Sequence, residues 1–165
     1  HYSTIQALEP FLKPKEINLS FSDGLLFRRM EHMIDGNIPA VSLFSGPYYF
    51  MQQLGFRKVV DTTFMMAAMI GEDSSIEDVE KYFAALKRAQ SDIDLRPELY
   101  THYYREEFPE RFKEQIDTRL FGPGERLVFE EYSKDFFEDS QKWIDERGIF
   151  ENGLGDREFE QAVIL

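Results

Sequence analysis

Cysteine is absent from all 165 residues. That excludes a disulfide framework, a thiolate zinc site and a cysteine nucleophile. It sits equally well with the cytosol and with the bacterial cell envelope. Basic charge is scarce: 19 Lys and Arg stand against 31 Asp and Glu, a net charge of −12. A nucleic-acid binder draws most of its affinity from neutralising phosphate, and no Lys/Arg cluster here could do so. A nucleic-acid partner is therefore not expected, and the acidic field also opposes adsorption to anionic lipid. Long apolar runs are missing too, so a membrane-embedded chain is not expected. The opening "HYSTIQALE" carries no methionine, which reads as a chain cut from something longer and makes the missing leader uninformative. Histidine is sparse. His1, His32 and His102 lie far apart and lack the i, i+4 spacing of a metal pair, so neither a metal site nor a cofactor is expected.

What the chain does have is apolar and aromatic mass, 42% and 15% of residues, sufficient for a buried core and against global disorder. The length suits one ordinary domain or part of a larger one. Helix and strand patterns alternate at first. "STIQALEPFL" reads as a short helix with Ser3 as N-cap and Pro10 as its limit. "EINLSF" (16–21) alternates like a strand. "GLLFRRMEHMIDG" (24–36) is helical, with Leu26, Met30, Met33 and Ile34 on one stripe and Gly36 as its stop. "IPAVSLF" reads as the next strand, "PYYFMQQL" as a helix closed by Gly55, and "FRKVVDTTFMMAAMI" (56–70) as an extended crossing.

Strands separated by single helices imply a parallel sheet, so the first seventy or so residues read as an open α/β unit. After Gly71 the texture becomes helical. "SSIEDVEKYFAALKRAQSDIDLRP" places Ile76, Val79, Phe83, Leu86 and Ile93 on one face of a helix of about six turns. "PELYTHYYREEF" and "SKDFFEDSQKWIDERG" read as further helices around the loop "FGPGERLVFE". The break falls near residues 62–74.

In an open parallel sheet, ligands sit beyond the carboxyl ends of the strands, where helix starts point. "HYST", "FSDG" and "FSGPYY" each offer hydroxyls beside free backbone N–H groups, in a setting that suits an anion or a polar head. Ser3, Ser22 and Ser45 are equally readable as plain helix caps. "LFSGP" is not a nucleophile elbow, since Leu43 stands at the first glycine position. "GPGE" (122–125) lacks the glycines and the Lys of a phosphate loop, and reads as a turn. Trp143 belongs to a stripe with Phe136, Phe137, Ser140 and Ile144, readable as helix core or as a stacking residue.

"HYSTIQALEPFL" resembles the His-Tyr-led helix start in periplasmic substrate-binding proteins of the nitrate/sulfonate/taurine ABC-importer family, without the Gly-Ser pair that precedes it there. "RRMEHMIDGNIPAVSLFSGPYYFMQQLGFRKVVDTTF" is similar to that family's second signature, in which a Pro opens the helix leading to Leu-Gly-Phe-Arg. The family's Asp-Ala is Pro39-Ala40 here, and its frequent tryptophan is Ser42. "IEDVEKYFAALKRAQSDIDLRPELYTHYY" and "ERGIF" resemble later family helices, so the likeness runs from residue 1 to about 150.

The resemblance implies an α/β type II periplasmic-binding fold. Residues 1–62 would form an open, mostly parallel sheet lobe, 63–71 the hinge crossing, and 72–165 a helical part returning to the other lobe. It implies an extracytoplasmic solute receptor, periplasmic or lipid-anchored at the outer face of the cytoplasmic membrane, that works with ABC transporter membrane subunits. A small organic ligand, anionic or polar aromatic, would sit in the interlobe cleft and be held by hinge closure. His1, Tyr2, Ser3 and Thr4 would form one wall, and Ser42, Phe44, Ser45, Pro47 and Tyr48 the other. No catalytic residue is expected. Two alternatives stand beside this reading. One is an enzyme on the same scaffold, like the pyrimidine synthase of thiamine biosynthesis or an aromatic-acid decarboxylase. The other is a non-catalytic protein-interaction domain docking through its acidic helices.

Overall fold

The computed structural model describes residues 2–21, 25–63, 70–71, 73–122, 124, 132–150 and 158–163. These fall into two compact units, a larger one up to Gly124 and a smaller one from Tyr132.

The larger unit opens with α1, Tyr2–Leu8. Ser3 lies inside this helix rather than capping it, and the helix stops before Pro10, whose ring would clash with the preceding turn. Helix α2, Leu26–Ile34, turns the fully buried Met30 inward, with Phe27, Met33 and Ile34 packed beside it. Gly36 ends it as the pattern predicts. At φ 73 its N–H reaches the Met33 carbonyl (3.1 Å), while that of Asn37 reaches His32 (2.8 Å), the paired closure of a Schellman motif. Helix α3, Ser45–Gln53, closes the same way on Gly55, at φ 88.

Helix α4, Ile76–Leu95, is capped by the Ser75 hydroxyl, which accepts from the Asp78 N–H at 3.1 Å. Of its predicted stripe, Val79, Phe83, Leu86 and Ile93 are half-buried, whereas Ile76, at the first turn, is exposed. The helix expected over 97–108 is instead broken. A 3₁₀ turn, Pro97–Leu99, is followed by the short α5, Tyr103–Glu107, and then by α6, Glu110–Lys113.

The core lies where α2 and α3 meet the stretch around α6. Phe50 is fully buried, with its ring 5.4 Å from those of both Phe108 and Phe112; Met51, Ile116 and Phe121 complete the centre. Polar clamps fix the layers. Gln53 donates to the Gln115 carbonyl (2.7 Å) and accepts from the Asp117 N–H (3.1 Å), tying α3 to the chain beyond α6. Arg111 reaches Glu31 (2.9 Å) and Asp35 (3.1 Å), tying α6 to α2.

In the smaller unit, α7 (Lys134–Glu146) is capped by Ser133 and packs on α8 (Phe159–Ala162), with the Phe137 and Phe159 rings 5.7 Å apart. Trp143 stacks under Arg147, whose guanidinium lies 4.2 Å from the ring centre.

The expected α/β class is overturned. The described residues are helical and contain no strand, so the chain is not a type II binding fold with an open parallel sheet. Residues 17–20 do alternate half-buried and exposed, but they form no strand with any described residue. In 38–44, Pro39 removes a ladder donor, and the Ser42 carbonyl accepts from the Arg29 side chain (3.2 Å) instead of from a neighbouring strand. The apolar face of α3 is covered by aromatic residues from 104–121, which do the work a sheet face would do. Of the crossing expected at 56–70, residues 56–63 form neither helix nor strand, and 64–69 lie outside the described residues.

Candidate functional site

The chain arrives at α3 extended, with Phe44 at φ −145° and ψ 173°, and then turns on Ser45 at φ 53. Ser45 has the one positive φ outside glycine among the described residues. That conformation brings Cβ against the following carbonyl and costs about 1–2 kcal/mol. The first turn of α3 contains no acidic residue, so nothing there offsets the positive end of the helix dipole.

Three glycines make room for the surrounding rings. A Cβ on Gly46 would stand 2.9 Å from Tyr104 Cδ1 and 3.1 Å from Phe108 Cε2. One on Gly122 would meet the Tyr49 hydroxyl at 2.6 Å. One on Gly124 would collide with the Tyr104 hydroxyl and lie 3.3 Å from Ser45 Oγ. The hydroxyls of Ser45 and Tyr104 thus flank the backbone of Gly124. Around them stands an aromatic set: Tyr48 and Tyr49 with ring centres 5.5 Å apart, Tyr49 and Phe121 at 5.6 Å, and Tyr104 and Phe121 at 5.4 Å.

Of the wall expected at 42–48, the start of α3 gathers every member, in differing roles. Pro47 is buried in the core, Ser42, Ser45 and Tyr48 are half-buried, and Phe44 is exposed. Tyr2 is exposed and Ser3 and Thr4 are half-buried, all on α1, while His1 lies outside the described residues, as does Ser22. Tyr49, Tyr104, Gly122 and Gly124 were not anticipated, because they lie far along the chain from Ser45 or on the far side of the helix from a sheet that does not form. The doublet Tyr103-Tyr104 and the glycines of "FGPG" were the available signals.

Downstream of α3, Lys58 pairs with Asp61 at 2.9 Å. Hydrogen bonds from Thr63, then from Lys58, hold the Asp61 carboxyl far below the ordinary range, so it is a fixed anion. His32 lies 3.5 Å from Asn37 Nδ2, and the His102 ring stacks 4.0 Å from that of Tyr103. The described residues contain no group of three His, Asp or Glu side chains suited to a metal ion.

No family model, curated protein or solved structure matches the chain. Among the described residues no helix is long and apolar enough to cross a membrane.

Proposed function

We propose that the chain is the solute-binding part of an extracytoplasmic receptor serving an ABC importer, and that it takes a small polar or anionic organic molecule at the start of α3 without breaking a bond. The observation that carries this reading is the strained Ser45, held at φ 53 on the uncompensated end of α3 beside Tyr48, Tyr104 and Gly124. Strain of this kind persists only where the surroundings enforce it, and it concentrates at ligand sites. The order of the sequence segments that resemble importer receptors adds to it. The ligand would meet α3 within the larger unit.

A thermal-shift screen of organic anions, amino-acid derivatives and pyrimidines tests the reading. A ligand at a hundredfold excess over its dissociation constant should stabilise the protein by about 2.7 kcal/mol. Ser45→Ala and Tyr48→Ala should weaken that response and keep the helical signal. A screen with no shift, or a shift that both variants retain in full, contradicts the proposal.

A further inference from the structure

The chain has three asparagines, and one of them, Asn18, opens the triplet Asn18-Leu19-Ser20. Asn37 and Asn152 are followed two residues on by Pro39 and Leu154, so neither repeats the pattern. Asn-x-Ser with x other than proline is the acceptor signal for N-linked oligosaccharide, and it is used on exposed chain outside the cytoplasm. So short a signal recurs by chance, and the placement of Asn18 is what gives it meaning.

The segment leaves a 3₁₀ turn, Pro14–Glu16, with Ile17 in an extended conformation at φ −86° and ψ 98°. Residues 17–20 belong to neither helix nor strand, and among the described residues no backbone hydrogen bond holds 18–20. Burial alternates: Ile17 and Leu19 are half-buried, while Glu16, Asn18 and Ser20 are exposed. Residues two apart on extended backbone share a side, so a carboxylate, an amide and a hydroxyl stand in one exposed row. The Asn18 amide has no hydrogen-bond partner among the described residues. The Glu16 carboxylate accepts from the Lys13 backbone N–H at 2.8 Å, in an exposed bond. A transferase must draw its acceptor into an active site, and this segment yields without the loss of a helical turn or a strand ladder.

We infer that Asn18 is an N-glycosylation site, modified by a membrane-bound oligosaccharyl transferase from a polyprenyl-diphosphate-linked oligosaccharide. The Asn18 Nδ2 attacks the anomeric carbon of the first sugar. A bond from Nδ2 to that carbon replaces its bond to the diphosphate oxygen, and the lipid diphosphate leaves with the electron pair. The amide gives up one proton to a base of the transferase, and nothing is oxidised or reduced. The Ser20 hydroxyl is the group the transferase recognises by hydrogen bonding. Glu16, in the same row, offers a carboxylate two positions ahead of the acceptor for a charge-assisted contact with a basic residue of the transferase. The inference rests on the extracytoplasmic role proposed above, because that compartment is where the transfer takes place.

The test incubates the complete folded chain with a purified single-subunit bacterial oligosaccharyl transferase and an undecaprenyl-diphosphate-linked heptasaccharide, followed by intact mass and peptide mapping. Wild type should gain one oligosaccharide, on the peptide that contains Asn18. Asn18→Gln and Ser20→Ala should gain none, and Ser20→Thr should be modified like wild type. Glu16→Gln, which still accepts from the Lys13 N–H, should react about tenfold more slowly, the loss of one charge-assisted contact. Because these side chains are exposed, every variant should unfold at the wild-type temperature, so a missing product reports on the signal and not on the fold. No transfer to the folded wild type overturns the inference, whether or not the heat-unfolded chain accepts the sugar, and so does transfer that persists in Asn18→Gln. An unchanged rate in Glu16→Gln removes Glu16 from the signal. Solute binding fails separately: a chain that accepts the sugar but responds to no compound in the thermal-shift screen keeps the acceptor site and loses the receptor reading. A chain that binds solute and takes no sugar does the reverse.

Discussion

Ser45 concentrates the tension between stability and use at a single residue. Its φ of 53 is one that glycine adopts without penalty, and a Cβ there costs about 1–2 kcal/mol. Glycine gives back part of that gain through its freer unfolded chain. Ser45→Gly should therefore stabilise the protein by about 0.5–1 kcal/mol in urea denaturation, with an unchanged slope, while ligand binding weakens. A neutral or destabilising outcome would show that the conformation carries no strain. Asp117 makes a second residue-scale prediction. The hydrogen bond from the Arg119 side chain, at 2.6 Å, is the main cause that holds its carboxyl down to about 2 in the folded state. A depressed folded pKa contributes stability that is fully present above the unfolded value near 3.8 and is lost as pH falls from about 4 toward 2. Asp117→Asn should flatten that part of the acid-denaturation profile by lowering stability at neutral pH, with the two proteins converging near pH 2. A steeper loss below pH 4 in the variant would contradict the assignment.

Elements were legible wherever their signals were local. Gly36 and Gly55 close their helices through paired backbone bonds where the pattern places them, whereas the caps of α4 and α7 are Ser75 and Ser133, and Ser3, read as a cap, lies inside α1. The amphipathic stripes of α2, α4 and α7 are equally local properties. What local signals could not supply was the pairing of extended segments. "EINLSF" and "IPAVSLF" carry strand composition, but a strand exists only with a neighbour; in the second segment the Ser42 carbonyl accepts from the Arg29 side chain instead of from a ladder. The aromatic residues from 104–121 explain why helix α3 is the centre of the larger unit. Phe50 has no exposed surface and meets Phe108 and Phe112 at 5.4 Å. Phe50→Ala should cost about 3–5 kcal/mol and lower the urea midpoint accordingly. A cost below about 1 kcal/mol would mean that α3 is not packed as described.

For the whole molecule, charge and topology act together. A net charge of −12 should repel anionic solutes, so an anion site must gather its cations locally. The packing of α2 against α3 sets the Arg29 guanidinium on the Ser42 carbonyl, in the segment leading into a helix start free of acidic residues. The candidate wall at 42–48 could be read from sequence, since it is contiguous. Arg29 could not, because "LFRRMEHMI" offers two adjacent arginines and only the packing of α2 shows which one turns inward. The expectation of a sheet hid it further by assigning the Ser42 carbonyl to a strand ladder. The most direct test is a thermal-shift titration of organic anions and amino-acid derivatives on wild type, Ser45→Ala and Tyr48→Ala. A compound that stabilises wild type should stabilise both variants less at the same concentration. A wild type that no compound stabilises, or an equal shift in all three proteins, would contradict a binding site at the start of α3.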